Sequence, residues 1–364
     1  MELRIQKIYV NELLNFWESE EFINFKHFPI SLKRIKSYRS NPNSNKNLPV
    51  IYLGFLNEEL VVYRSLLQDR LRQPDTEIAW LSGVWTHPRY RRKGFANFLL
   101  DEVFKDYSGN IFSTNLGASS FNLVINYKDF TLFKESNGHR FYYRFSLSEI
   151  LPPKSKFFLK LKPFLKITDV CANFFLDLRL LFVKKSHNPN LENAVFDAEL
   201  EEFISRHNQN SLFRRNVEEF KWILDFPWVE QRNEDEEHDK KYHFTTSAKR
   251  FYQKALIYKA NGKIKGFLFY SVKNEILKIH YIFTNSELEL EEFVVYILNL
   301  IRKEKVSYMM LTDERFIQKV KNKGGVIYSK VWKKGFFAGK KLLEDFPGLM
   351  EKDIYMGDGD TVFT

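Results

Sequence analysis

The chain has 364 residues, 44% of them hydrophobic and 28% charged, with a formal net charge of +10 and a pI near 9.3. That length favours two domains, and the composition is that of a folded protein rather than a low-complexity one. A single cysteine excludes an internal disulfide and a cysteine-based zinc cluster, the eight histidines lack ligand spacing, and no run approaches the ~18 apolar residues of a membrane span.

The basic balance favours anionic partners: coenzyme A, nucleotide-linked substrates, nucleic acid or acidic lipid headgroups. Met1 to Val10 alternates charged and apolar residues without a signal-peptide core, so the expected location is cytoplasmic. Cys171 lies among apolar residues and reads as a small core residue.

Leu3 to Ile8 alternates as a first strand, and Asn11 is placed to cap a helix running toward Phe22. The polar run Ser37 to Asn47 reads as a loop, and Val50 to Leu56 with Leu60 to Leu67 as a hairpin. Glu77 to Thr86 is the next strand and Phe95 to Tyr107 an apolar helix. Ile111 to Leu116 is strand-like and Ser119 to Tyr127 helix-like. Phe130 to Lys134 and Phe141 to Phe145 are expected to flank a turn at Asn137-Gly138.

From Pro152 the chain becomes basic and rich in Phe and Leu. Residues 154–185 admit two readings: an amphipathic segment on an acidic membrane face, or an interdomain linker followed by a helix packed on both domains. Pro163, Asp169 and Asp177 break any single-sign face, so the linker, residues 151–189, is the reading adopted.

Residues 190–364 repeat the order of the first half. Phe213 to Trp228 is helical, and Glu230 to Asp239 is an acidic loop. Ala255 to Lys259, Ile264 to Val272 and Ile276 to Phe283 form a meander. A helix Leu288 to Lys303, a strand Ser307 to Leu311, a helix Phe316 to Lys323 and a strand Val326 to Phe336 follow. The fold expected is α/β (α+β): two similar domains, 1–150 and 190–364, each a mixed, mostly antiparallel sheet flanked by helices.

The turn between strand and helix in the first half, Arg91-Arg92-Lys93-Gly94-Phe95-Ala96, carries the chemistry. A helix N-terminus offers free backbone N–H groups, which attract phosphate. Arg91, Arg92 and Lys93 add charge, and Gly94 lets a ligand approach the backbone. The corresponding turn of the second half, from Thr284, has no glycine and carries four Glu, so it should repel an anion.

The six residues resemble the Arg/Gln-x-x-Gly-x-Gly/Ala signature of the GNAT superfamily of acyl-CoA N-acyltransferases, with Thr86 to Tyr90 before and Phe98-Leu99-Leu100 after as similar flanks. The resemblance implies a tandem protein whose first domain binds acetyl-CoA or another acyl-CoA and whose second is degenerate, a lid or acceptor domain. It implies that the loop amides hold the pyrophosphate. The pantetheine arm would pair with Val84, Trp85 and Thr86 where that strand and Ile111 to Leu116 diverge. Asn115 and Asn122 would bond the arm or the adenosine region.

The catalytic groups are less determined. The family's strand Glu is replaced at the corresponding position by Trp80, with Ser82 on the same face. Glu77 has the opposite parity and serves as base only if a bulge re-aims it, and a water chain is the alternative. The family's acid Tyr falls on Ile125, leaving Tyr127, two residues on, as candidate donor to the thiolate. No metal is expected. The Gly357-Asp358-Gly359-Asp360 tail lacks the other ligands of a calcium loop.

That tail, Asp225-Phe226-Pro227-Trp228, and His139 to Tyr143 resemble more loosely bacterial GNAT-like proteins of surface-polysaccharide assembly. The acceptor so implied is a small-molecule amine, an amino sugar linked to a nucleotide or lipid, stacked on Trp85 and Trp228, and not DNA. Two other readings remain: a non-catalytic coenzyme A sensor, and a transferase using aminoacyl-tRNA.

Overall fold

The computed structural model describes residues 3–114, 117–180, 190–234, 236 and 239–364, with backbone only at 118–120 and 179–180. The chain divides into two compact units. One comprises Met1–Ser136, Phe196–Phe251 and Lys333–Thr364, the other Asn137–Val195 and Tyr252–Trp332. These bounds differ from the division at 150 and 190. The first unit takes in two segments of the supposed second domain.

The first unit opens with β1 (Arg4–Tyr9), followed by α1 (Leu13–Glu18), α2 (Glu20–Ile23) and α3 (Leu32–Arg39). Ser19, in extended conformation, accepts from the Phe22 N–H and so starts a new helix where one continuous helix was expected. Ser37 is buried within α3, so the supposed loop begins with helix. Then come β2 (Pro49–Leu56), β3 (Glu59–Arg70), β4 (Glu77–Thr86), α4 (Phe95–Asp106), β5 (Ile111–Ser113) and α5 (Ala118–Ile125). The end of the strand expected over Ile111 to Leu116 lies outside the described residues, as does Asn115.

β6 (Phe130–Tyr142) runs unbroken through Asn137-Gly138, and no turn forms there. A Cβ on Gly138 would collide with the Trp332 indole, so this glycine serves a close approach rather than a reversal. β6 passes from the first unit into the second. There follow α6 (Leu147–Ile150), α7 (Lys156–Lys160), α8 (Lys162–Leu180) and β7 (Leu191–Asn193).

The chain then returns to the first unit with α9 (Ala198–His207), α10 (Val217–Asp225) and the two-residue strands β8 (Glu230–Gln231) and β9 (Ser247–Ala248). It re-enters the second with β10 (Phe251–Ala260), β11 (Lys263–Lys273), β12 (Ile276–Thr284), α11 (Glu287–Lys303), β13 (Tyr308–Leu311) and α12 (Glu314–Lys323). β14 (Tyr328–Gly339) leads back to the first unit and to α13 (Lys340–Asp345).

In the first unit β1 to β4 pair antiparallel in sequence order, β4 pairs parallel with β5, and β5 antiparallel with β14. In the second, β11 and β12 are antiparallel, β12 and β13 parallel, and β13 is antiparallel to His139–Tyr142 of β6. The two units therefore repeat one motif: a meander, a crossover helix, and a parallel pair.

Each motif buries its own core. In the first unit α4 turns Leu99, Leu100 and Val103 onto Val62, Leu66 and Ala79 of the sheet. Burying each of these larger side chains is worth about 1.5–3 kcal/mol. In the second, Leu290, Phe293, Val294 and Ile297 of α11 do the same against Leu268, Tyr270 and Leu277.

Candidate acyl-donor site

β4 is held on one edge along its whole length by β3, with one irregularity. Ser65 faces Gly83 and Leu66 faces Leu81, which makes Ser82 an extra residue in the ladder. A bulge bends its strand and re-aims the side chains beyond it. On the other edge, among the described residues, β4 meets β5 only at Ala79↔Ile111 and Trp80↔Phe112. β5 goes on to pair with β14, Ser113 facing Phe337. β4 and β5 thus part after Trp80.

A cavity of about 110 Å³ lies where they part, lined by Arg64, Ser82, Val84, Thr114, Phe244 and Asp360, with Leu123 and Val124 of α5 as an apolar wall. The divergence implied for the strands around Val84 concerns Ile111 to Leu116, the end of which lies outside the described residues. The bulge needed to re-aim Glu77 exists, but it falls at Ser82.

At the far end of β4 the chain enters α4. Gly94 is the N-cap with φ +85°, no side chain caps the helix, and a Cβ there would meet nothing within 4 Å. The first ladder bonds run from the Asn97 and Phe98 N–H groups to the Gly94 carbonyl at 3.0 Å each. The amides of Phe95 and Ala96 precede that ladder. Arg91, Arg92, Lys93 and Gly94 are exposed. Arg91 Nε donates to the Thr86 carbonyl at 3.3 Å, and Lys93 stands over the Tyr90 ring at 5.1 Å. An uncapped helix N-terminus, open space and three cations fit a pyrophosphate.

The corresponding helix of the second unit is closed by its own residues. Ser286 Oγ accepts from the Leu288 N–H at 3.2 Å, and Glu289 accepts from the Ser286 N–H at 2.8 Å. This capping box occupies donors that α4 leaves open.

Arg64 was not singled out from the sequence. It is 2% exposed, and its Nε and Nη2 have no partner among the described residues. Burial pushes its guanidinium down to about 10, which leaves it charged at neutral pH. A signal was present: one arginine interrupts the apolar run Leu60 to Leu67 of a buried strand.

Opposite it, the Ser82 hydroxyl accepts from Arg34 Nη1 at 3.0 Å and donates to Asp360 Oδ2 at 3.2 Å. The guanidinium of Arg34 lies 3.9 Å over the Trp228 ring. The tail that carries Asp360 is pinned by Asp358, which meets Arg215 Nε at 3.3 Å. Arg215 also pairs with Asp69 at 2.7 Å. This aspartate pair is thus engaged with side chains rather than arranged as a calcium loop. Among the described residues no group of three or more metal-binding side chains occurs.

The remaining expected residues are placed as follows. Val84 lines the cavity. Trp85 is buried and stacked on Tyr63 at 5.6 Å, and Thr86 ends the strand. Asn122 is exposed on α5. Tyr127 lies just past α5, packed in the core, and donates to Asp101 Oδ1 at 2.7 Å. Burial, then that carboxylate, pushes its phenol well above the usual range. Glu77 starts β4, where it accepts from Asn45 Nδ2 at 2.6 Å and lies 3.7 Å from Arg70.

Neither Tyr127 nor Glu77 lines the cavity. Trp228 belongs to the first unit and is buried under Phe363, whose ring stacks on it at 4.7 Å. It offers no open face to a sugar. Cys171 is exposed rather than in a core.

No family model and no curated protein sequence matches this chain. Among solved structures it is similar to a GCN5-related N-acetyltransferase from Anabaena variabilis, at 10% identity and TM-score 0.51, over 92% of this chain and 72% of that one. It is likewise similar to a probable N-acyltransferase of unknown function from Enterococcus faecalis, at 10% identity and TM-score 0.51, over 93% and 73%. A third is the N-myristoyltransferase of Saccharomyces cerevisiae with bound myristoyl-CoA, at 11% identity and TM-score 0.51, over 93% and 79%. The chain has the GNAT fold.

Proposed function

We propose that this chain is an acyl-CoA-dependent N-acyltransferase. The observation that carries the proposal is the parting of β4 from β5 beside a charged cavity, on the strand that leads into the uncapped helix at Gly94. Gly94, Phe95 and Ala96 would present backbone N–H groups to the pyrophosphate, with Arg91, Arg92 and Lys93 around it. Val84 to Thr86 would pair with the pantetheine arm, and Asn122 would face the adenosine region.

Within the cavity Arg64 supplies a buried cation with unused donors, the kind of group that stabilises the oxyanion formed when an amine attacks a thioester. Asp360, set by Ser82, attracts the acceptor's ammonium and takes the proton it must shed before attack. The amine nitrogen bonds to the acyl carbon, the C–S bond breaks, and the thiolate leaves to be protonated. Tyr127 reaches that thiolate only by releasing Asp101, and Glu77 stands at the wrong end of β4.

The donor is acetyl-CoA, and the acceptor a primary amine of an amino sugar carried on a nucleotide or lipid, as in polysaccharide synthesis. The test is free-thiol release from acetyl-CoA against a panel of amino sugars, amino acids and polyamines. Amine-dependent release, lost in Asp360→Asn, supports the reading. Coenzyme A binding without release from any amine would instead favour a non-catalytic sensor.

A further inference from the structure

α8 is built inside out. Its polar side chains Asp169, Asn173 and Asp177 recur every four residues and turn toward the protein. Asp169 accepts from the backbone N–H groups of Leu147 and Ser148, at 2.8 Å each. Asn173 accepts from the Phe145 N–H at 2.7 Å and donates to the Phe145 carbonyl at 2.8 Å. Asp177 pairs with Arg144. Four backbone groups and one guanidinium thus hold the polar stripe inward, and all of these residues belong to one unit.

The opposite stripe carries Phe164, Ile167, Val170, Phe174, Phe175 and Leu178, which are 71%, 61%, 65%, 62%, 66% and 42% exposed. Their spacing of three and four is that of a core-facing helix stripe, yet it faces solvent. α7 extends it with Phe157 and Leu159, 64% and 59% exposed. A continuous apolar face of this size marks an interaction surface.

Its surroundings are cationic. Lys154, Lys156, Lys160, Lys162 and Lys166 are exposed, and among the described residues only Lys162 pairs with a carboxylate, Glu149 at 3.5 Å. The acids that would cancel this charge, Asp169 and Asp177, are engaged on the inner side. The sequence argument against a single-sign face fails for that reason, and α8 does not bury its apolar stripe as an interdomain helix would.

We propose that α7 and α8 dock this protein on the surface of a bilayer containing anionic lipid, the Phe side chains entering the headgroup–acyl boundary and the lysines meeting the phosphates. No helix among the described residues is long and apolar enough to cross a membrane, so the contact is peripheral. The proposal does not rest on the acyltransferase reading.

The test is co-flotation of the full chain with vesicles of phosphatidylcholine alone and of phosphatidylcholine and phosphatidylglycerol in equal parts, with size-exclusion light scattering of the same samples. The wild type floats with the anionic vesicles and stays behind with the neutral ones. F174S/F175S weakens binding at least ~10-fold, and K160E/K166E by a similar factor with a flatter salt dependence. Both pairs are exposed, and circular dichroism is expected to be unchanged.

Failure of the wild type to float with anionic vesicles overturns the proposal, as does equal flotation with neutral ones. So does a wild-type dimer that F174S/F175S dissociates without any lipid binding, which would assign the face to a second copy.

Discussion

The Ser82 hydroxyl donates to the Asp360 carboxylate at 3.2 Å, joining residues 278 apart in sequence. Ser82 is the extra residue of the β4 bulge, and Asp360 lies in the last 3-10 turn, so the strand irregularity and the chain terminus build one wall of the cavity. Asp360→Asn is expected to lower kcat by ~10²–10⁴-fold if this carboxylate takes the ammonium proton. The KM for acetyl-CoA should stay within a factor of about two, the pattern of a group that acts on the acceptor. Ser82→Ala should give a smaller loss, since it removes one hydrogen bond to Asp360 and leaves the carboxylate in place.

Arg64 gives a test with two opposed readouts. Arg64→Met removes the guanidinium of a residue that lines the cavity and should cost ~10²-fold in kcat. The same change replaces a buried cation that lacks a partner, so thermal stability should hold or rise. Burial lowers the folded-state pKa to about 10 from the ordinary arginine value. The destabilisation is therefore fully present below about pH 10 and fades as pH rises through the interval between the two values. The stability difference between wild type and Arg64→Met should shrink there. A variant that loses activity and stability together would make Arg64 a structural residue.

Much of the secondary structure was legible and the assembly was not. β4, the hairpin of β2 and β3, and α4 follow from local alternation and helical periodicity, and they fall within a few residues of expectation. The Gly94 loop was legible because its amides, glycine and cations are contiguous. Asn137-Gly138 was misread because a glycine needed for Trp332 to approach looks in sequence like one needed for a turn. The membership of 196–251 and 333–364 in the first unit depends on pairs such as Asp69–Arg215 and Asp358–Arg215, which no local pattern announces. Asp360 was missed for the same reason, since Ser82 lies 278 residues away. Arg64 was missed although its place inside the apolar run Leu60 to Leu67 was a local signal.

Arg215 should dominate the stability of the first unit. It is flanked by Asp69 and Asp358, with all three side chains at most 4% exposed, and Asp69 also accepts from Trp80 Nε1 at 2.9 Å. Arg215→Met removes a cation shared by two buried carboxylates and should cost about 3–5 kcal/mol. The urea midpoint, read by tryptophan fluorescence, measures it. A loss under about 1 kcal/mol would show the network relaxes into solvent, as an exposed pair would.

Tyr127→Phe and Glu77→Gln test the residues that the family resemblance singled out. Each is held away from the cavity, Tyr127 by Asp101 and Glu77 by Asn45. Both variants should keep kcat within about threefold, while Tyr127→Phe loses about 1 kcal/mol of stability with its hydrogen bond. A ~10²-fold fall in kcat for Tyr127→Phe at unchanged coenzyme A affinity would restore it as the thiolate's donor.

Calorimetric titration of the full chain with coenzyme A tests the central claim most directly, run beside Gly94→Asp and Leu288→Asp. The first substitution places a carboxylate at the open N-terminus of α4. The second does so at the self-capped α11, where Leu288 is 60% exposed. One site per chain is expected, weakened at least ~10-fold by Gly94→Asp and unchanged by Leu288→Asp. No binding by the wild type, or binding that survives Gly94→Asp intact, would contradict the claim.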